Sequence, residues 1–313
     1  MTVLTTVDHG VGSHPVDARS TRPFRRVVVV VNPHSSGDGP GNARRLADGL
    51  ADLAPGLPVE LVRTRCPGHA VHLARTASSS ATATLVVSAS GDGGYHEVVN
   101  GVLQAVTDGH RNSFAAVLPS GNANDHASLS RRPLVEAIAA GDVTRLDVLA
   151  FEVEGQPVSY AHSYIGLGLS PVVVDDINRH PTTRAGEVWS VLSSVPHFQP
   201  PRVSRDGAVV DVGSLLFANI DRMGKHLALS RTGSVADGRF EVLLTVADRG
   251  RTTLAVDLLR ALTGHLSPPS RSTPFAFTLV RAAPVQLDGE VVHLPAGARI
   301  TVSCQPGALA CVR

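Results

Sequence analysis

The sequence predicts a two-part α/β protein: an open parallel α/β domain followed by an antiparallel β-sandwich. Three observations carry this. The first half alternates short β-branched runs with amphipathic helical stretches at regular spacing. Polar, glycine-rich loops follow three of those runs. From about residue 145 the helical periods give way to short strands separated by turn residues. The 313 residues are 43% hydrophobic and 18% charged, enough apolar material for two sizeable cores and incompatible with global disorder.

Residues 1–24 mix Thr, Ser, Gly, His and Pro without periodicity and read as a flexible tail. Val27–Val31 is an uninterrupted valine run ended by Asn32-Pro33, the pattern of a strand buried on both faces. After the loop from Asn32 to Gly41, Asn42 is the expected cap of a helix that aligns Leu46, Leu50 and Leu53. A strand at 59–62, a helix at 69–77 and a strand at 84–87 come next. Gly91-Asp92-Gly93-Gly94 forms a sharp loop before a helix with Val98, Val99, Val102 and Val106 inward. A fourth strand at 115–118 ends in Pro119–Asp125.

The second part opens with a predicted hairpin, 146–153 and 158–164, around Glu154-Gly155-Gln156-Pro157. A helical insertion is expected at about 171–195. Strands follow at 215–218, 226–229, 240–246, 274–280, 285–287 and 291–294, with a helix at about 253–262. Ser267–Pro274 reads as a mobile loop or a plain connection. The resulting division is 25–145 for the α/β domain, with residues from about 299 to 313 as candidates to return to it, and 146–298 for the sandwich.

Composition excludes several functions. A net charge of +1 and 4% aromatics offer neither the basic surface nor the stacking platforms of a nucleic-acid binder. Of the 28 basic residues only Lys225 is a lysine, and it lies far from any glycine-rich loop, which excludes a P-loop ATPase and a protein kinase. Cys66, Cys304 and Cys311 are too scattered for a disulfide framework or zinc site, pointing to a reducing compartment. Arg25-Arg26 precedes only five valines, too short an apolar run for a signal peptide or a membrane span. A cytoplasmic location with at most peripheral contact to the inner membrane face follows. Neither a Gly-x-Ser-x-Gly elbow nor a His-Glu-x-x-His helix occurs, so serine hydrolase and zincin chemistry drop out.

In an open parallel sheet, ligands sit at the carboxyl ends of the strands. Three loops converge there: Asn32-Pro33-His34-Ser35-Ser36-Gly37, Ser90 through Glu97, and Pro119-Ser120-Gly121-Asn122-Ala123-Asn124-Asp125. Gly91 and Gly93 lack the Cβ that would block a phosphate, and the helix that follows directs its positive end there. Asp92 holds Mg²⁺ or caps that helix; the sequence leaves both open. His69 and His72 lack a third ligand, and the pairs Arg44-Arg45 and Arg131-Arg132 read as solvated faces. Trp189 reads as core packing.

The ordered motifs resemble the diacylglycerol kinase catalytic family, which includes bacterial lipid kinases and sphingosine kinases. They are Asn32-Pro33 with its Ser/Gly pair, Thr64, Gly68-His69-Ala70, Ser90-Gly91-Asp92-Gly93, Glu97 through Gly101, and Leu118-Pro119-Ser120-Gly121 with Asn124-Asp125. Leu146-Asp147-Val148, Ile165 to Gly168, Phe217-Ala218-Asn219, Asp237-Gly238 and Leu287-Asp288-Gly289-Glu290 complete the series. The loop departs from the usual family form at Ser90, Gly94 and His96, and its Ser90-Gly91-Asp92-Gly93 and His96-Glu97 look closer to the sphingosine-kinase branch. Asn122 stands where the family carries a hydroxyl residue.

The resemblance implies an ATP- and Mg²⁺-dependent phosphotransferase acting on an alcohol, with a diacylglycerol- or sphingoid-like lipid as acceptor. The alternatives are a kinase of a soluble metabolite, an NAD kinase, and a non-catalytic nucleotide-binding module. It places the nucleotide at Asn32, Pro33, His34, Ser35, Ser36, Thr64, Ser90, Gly91, Asp92, Gly93, Gly94, Tyr95, His96 and Asn122. It gives Glu290 the proton-acceptor role, with Asp288 assisting or holding metal. It maps a structural metal to Asp237 and the carbonyls of Ser234 and Arg239, where a plain β-turn is the competing reading. Asp288 and Glu290 are expected to enter a cleft near Gly91–Gly94. A homodimer is the candidate assembly.

Overall fold

The computed structural model describes residues 22–121, 124, 126, 132–169, 198–220, 222–223, 227–228, 234–247, 270–272 and 274–313. Asn122, Arg131, Trp189, Lys225, the helices expected at about 171–195 and 253–262, and residues 267–269 and 273 of the expected loop lie outside them. Strands β1 (Arg26–Val31), β2 (Val59–Arg63), β3 (Thr84–Ser90) and β4 (Ser113–Pro119) form a parallel sheet in the order β2-β1-β3-β4. The valines of β1 alternate between two cores. Val27, Val29 and Val31 pack with Ala43, Leu46 and Leu50 of α1 (Gly39–Leu53) and Ala137 and Ile138 of α4 (Leu134–Ala140). Val28 and Val30 pack with α2 (His69–Ser78) and α3 (Asp92–Thr107). Burial on both faces is why the run is continuously apolar.

Asp38, not Asn42, caps α1: it adopts a left-handed φ of 52° and its carboxylate accepts the Gly41 N–H. Pro40 then fits the first turn, where no donor is needed. Asn42 instead lies inside the helix and donates to Gly37 O and Ser120 Oγ, joining two loops.

The second part is antiparallel. β5 (Val143–Val153) pairs with β6 (Ser159–Ala161), but the expected strand 158–164 breaks at His162-Ser163, and β7 (Tyr164–Gly168) leaves for a different partner, β9 (Ala208–Ala218). The break has a cause: the N–H groups of residues 162–164 turn to a buried carboxylate, that of Asp288. β8 (Arg202–Arg205) and the first half of β9 (Ala208–Ala218) form a hairpin, and the second half of β9 pairs with β7 and β12 (Phe240–Val246). The short pair β10 (Arg222–Met223) and β11 (Leu227–Ala228) stands apart, and β13 (Ser270–Ser272) pairs with β12. β14 (Phe275–Leu279), β15 (Ala283–Leu287) and β16 (Glu290–Leu294) follow. An apolar core drawn from β5, β7, β8, β9, β12, β14, β15 and β17 lies between the sheets, with Phe217 against Phe240, Phe275 and Phe277. β17 (Arg299–Val312) spans both parts, antiparallel to β14 and β5 and then parallel to β4 through Cys311 beside Ala115.

Where the parts meet, three rings pack together. Tyr95, His126 and His162 have centroids 4.6–4.9 Å apart. All are buried, and neither ring nitrogen of His126 finds a partner among the described residues. Burial, reinforced by the His162 ring, holds His126 well below the ordinary imidazole value; burial also lowers His162, against the pull of Asp288. Burial raises the Tyr95 phenol, whose hydroxyl lies 3.5 Å from Cys311 Sγ. Burial therefore biases both histidines toward the neutral form in the fold, whereas the unfolded chain protonates them below pH ~6.5. Their contribution is complete above that pH and lost as pH falls below it, at about 1.4 kcal/mol per pH unit for each proton. We expect the melting temperature to fall from pH 7.5 to 5, and His126→Phe to flatten that fall. An unchanged slope in the variant contradicts the assignment.

Candidate active site

The strand order reverses direction between β1 and β3, the position where an open α/β sheet forms its ligand crevice. The three polar loops meet there. Gly37 N donates to Ser120 O, Asn32 N to Ala89 O, and Ser120 N to Ser90 O. Asn42 Nδ2 bridges to Ser120 Oγ, and Asn124 closes its own loop through Gly121 N and O. A Cβ on Gly121 would stand 2.3 Å from the Gly91 Cα, so these two backbones touch only because both residues are glycine.

The loop side chains divide into groups. Pro33, His34 and Ser36 are exposed on the rim, and Asn32 Oδ1 accepts the His34 N–H. Ser35 is half-buried, accepting the Gly39 N–H and donating to Asn32 O. Thr64 sits beside the end of β1, its N–H on Val31 O. Ser90 is buried against Ser88, hydroxyl to hydroxyl at 2.6 Å, and a Cβ on Gly94 would strike it. Asp92 opens α3, with Gly91 in the cap position and no side-chain cap bond, so Asp92 is not the helix cap. Tyr95 points into the core rather than the crevice. Glu97 spans to the next helix and caps it, accepting the Gly68 and Ala70 N–H groups. Asn122 lies outside the described residues.

From the other part of the molecule comes a two-residue hairpin turn. Asp288 (φ 49°) and Gly289 (φ 102°) both adopt positive φ between Leu287 and Glu290, the turn type that Asp-Gly favours between strands. This turn sets Glu290 against the start of α3: a Cβ on Gly93 would lie 2.6 Å from Glu290 Oε1. The glycine at 93 thus makes room for a carboxylate of the same chain, where the sequence suggested room for a phosphate.

Asp288 behaves differently. It is fully buried, and its two oxygens accept from His162 N, Ser163 N, Tyr164 N and His96 Nδ1, at 2.8, 2.9, 3.0 and 3.0 Å. Burial alone would raise its pKa; the His162 ring, His96 and the Tyr164 N–H more than offset that and hold it well below the usual carboxylate range. A carboxylate so enclosed has no open face, which does not fit the expectation that Asp288 assists the base or holds metal. With Nδ1–H on Asp288, His96 presents Nε2 as an acceptor to Asn100 Nδ2 at 3.3 Å, so His96 is also a positioning group.

Near the far end of the junction, Asp147 is another buried carboxylate, accepting Gly238 N at 2.6 Å and Gly307 N at 2.7 Å. It anchors the turn that holds Asp237, whose Oδ1 accepts the Arg239 N–H. Among the described residues no group of three or more His, Cys, Asp or Glu side chains is arranged to hold a metal. Neither Asn100 nor His162 was picked out by the sequence as part of the site. Asn100 carried a signal, a polar residue on the inward face of a helix; His162 carried none.

Comparison with known proteins places this arrangement. Residues 26–151 match the diacylglycerol kinase catalytic domain. Sphingoid long chain base kinase 5 of Saccharomyces cerevisiae is 37% identical over 89 residues, which is 28% of this chain and 12% of that protein. A crystal structure described as a diacylglycerol kinase from Bacillus anthracis str. Sterne superposes with a TM-score of 0.68 at 19% identity, covering 94% of this chain and 97% of that one. Another from the same organism gives 0.67 at 18%, covering 92% and 97%. The fold of this chain is the fold of those structures, and the match to the diacylglycerol kinase catalytic domain covers residues 26–151 of the 313.

Proposed function

We propose that the protein transfers the γ-phosphoryl group of ATP to the hydroxyl of a lipid or lipid-like alcohol. The observation that carries this reading is the seat of Glu290 at the Gly93 position of α3. Phosphoryl transfer needs phosphates held at one place and a proton acceptor beside them. The three joined loops and the α3 N-terminus offer the first; Glu290 offers the second. Residues 32–36, Thr64, Ser90–Gly94 and Asn122 are the proposed nucleotide contacts.

Glu290 is exposed, whereas Asp288 is enclosed, so the proton-acceptor role falls to Glu290 and Asp288 fixes the turn that carries it. A loose transition state asks little base strength of that carboxylate. Mg²⁺ characteristically takes one or two carboxylates together with phosphate oxygens and water. Asp92 at the crevice mouth fits such a donor set and would hold the ion, which neutralises phosphate charge when bound. Asp237 and the carbonyls of Ser234 and Arg239 share one short turn and are the proposed structural-metal ligands. Val291 and Val292, 39% and 41% exposed beside Glu290, favour an apolar acceptor. No helix among the described residues is long and apolar enough to cross a membrane. We place the reaction in the cytoplasm, with peripheral membrane contact.

Glu290→Gln should keep ATP affinity within a few-fold and lower kcat by about 10² or more, the size of a general-base contribution. Gly93→Ala should act in the same direction, because its methyl displaces the Glu290 carboxylate. Calorimetry for ATP and initial rates with diacylglycerol and sphingoid acceptors measure both. Near-normal turnover in Glu290→Gln contradicts the proton-acceptor role.

A further inference from the structure

Asn42 stands at a helix position that the helix itself does not explain. Asparagine is a poor residue for a helix interior, because its side chain competes for backbone groups. α1 already has its cap in Asp38, and the Asn42 N–H makes an ordinary helical bond to Asp38 O at 2.9 Å. The donor end of the Asn42 side chain adds nothing to that start. It points out of the helix, to two loops of the crevice.

The hydrogen count around this amide is closed. Nδ2 carries two hydrogens and has two close acceptors, Gly37 O at 2.8 Å and Ser120 Oγ at 2.9 Å. Ser120 donates its one hydrogen to Leu118 O at 3.2 Å, so toward Asn42 its oxygen accepts. On the other side, Oδ1 accepts from the Arg45 guanidinium at 2.6 Å. Turned the other way, the amide would set oxygen against Gly37 O and nitrogen against Arg45, so the network admits one orientation. Gly37 directly follows residues 32–36 of the first loop, and buried Ser120 stands two positions before Asn122 in the third. One backbone bond, Gly37 N to Ser120 O at 2.9 Å, also joins these loops. Two loops joined at one bond can pivot about it; the amide adds two further attachments, anchored in a helix, that fix their separation and angle.

We propose that Asn42 is a positioning residue for the nucleotide: acting through Gly37 and Ser120, it sets the width of the crevice between the first and third loops. This rests on the reading of those loops as nucleotide contacts. The clamp is separate from the turn that carries Glu290, which Asp288 holds through donors of the other part and of α3. Its loss therefore weakens nucleotide binding and spares the proton transfer, a KM effect rather than a kcat effect.

The test starts from Asn42→Asp, which keeps the shape of the side chain but turns an acceptor toward Gly37 O and Ser120 Oγ. Calorimetry with ATP, and initial rates with ATP and acceptor varied separately, should show Kd and KM for ATP raised about tenfold or more, with kcat and the acceptor KM within about twofold. Asn42→Ala, Ser120→Ala and the double variant complete a cycle on the ATP Kd. The double variant should bind ATP as Asn42→Ala does, because Ser120→Ala then removes a bond already lost. Hydrogen exchange should quicken in peptides spanning 32–37 and 119–121 of Asn42→Asp and stay unchanged in β3. An unchanged ATP Kd, a fall in kcat at unchanged Kd, additive losses in the cycle, or weak ATP binding only in variants that have lost the native melting transition overturns the proposal. If wild type binds no ATP, the nucleotide reading fails, and the exchange measurement decides the clamp: faster exchange in both loops sustains it, and equal exchange overturns it.

Discussion

The molecule turns on a buried carboxylate. Asp288 sits in a left-handed backbone conformation at a hairpin tip, with every face taken by an N–H donor. An ionised group without solvent is tolerable only with such a set, and charge-assisted bonds of this kind are the stronger ones. Three donors come from the break between β6 and β7, and the fourth from α3. One side chain thus fixes the relation between the parallel α/β part, the first corner of the sandwich and the β15–β16 hairpin.

That interaction extends into a chain of buried polar groups along the junction. Asn219 Nδ2 donates to Asp147 O and His162 O. The His162 N–H reaches Asp288, His96 joins Asp288 to α3, and Asn100 exchanges hydrogen bonds with the Tyr160 backbone. Asp147 then holds the Gly238 turn and the Gly307 bulge of β17. Several residues of the ordered motifs, Asp147, Asn219, Asn100 and Asp288 among them, are therefore frame. Asn219 Oδ1 and His162 Nε2 find no hydrogen-bond partner among the described residues, yet the bonds that are made join several elements, so any shift of one strands several groups at once. Glu290, one residue past the fixed turn, inherits that precision.

The parallel sheet was legible because β1, β3 and β4 are largely buried on both faces and announce themselves as valine- and alanine-rich runs; the edge strand β2 is partly exposed and reads more weakly. Helices α1, α2 and α3 were legible from period and the three loops from composition, whereas the seven-residue α4 is too short to show a period and was not read. The sandwich was harder. β8 and the first half of β9 carry Arg202, Arg205 and Asp211, whose charges mask the alternation; Arg202 and Asp211 pair across the strands. β17 contains Pro306-Gly307, which reads as a turn but is a bulge between its two pairings. Which residue capped α1 depended on a left-handed Asp38 that no periodicity reveals. The Asp-Gly-Glu turn was readable as a hairpin, whereas the direction in which each carboxylate points depends on donors from 126 residues away and could not be read locally.

The central claim is that the turn at Asp288-Gly289 holds residue 290 against residue 93 of the other part of the molecule. A disulfide requires Cβ atoms about 3.5–4.5 Å apart, so it reports that apposition without any knowledge of the acceptor. The measurement is mild oxidation of a Gly93→Cys, Glu290→Cys double variant with exposed Cys66→Ser, read by mass spectrometry of the peptides. The account predicts an intramolecular 93–290 cross-link formed in high yield by the folded monomer and abolished by denaturant before oxidation. Failure to cross-link in a protein that retains its native melting transition would contradict it.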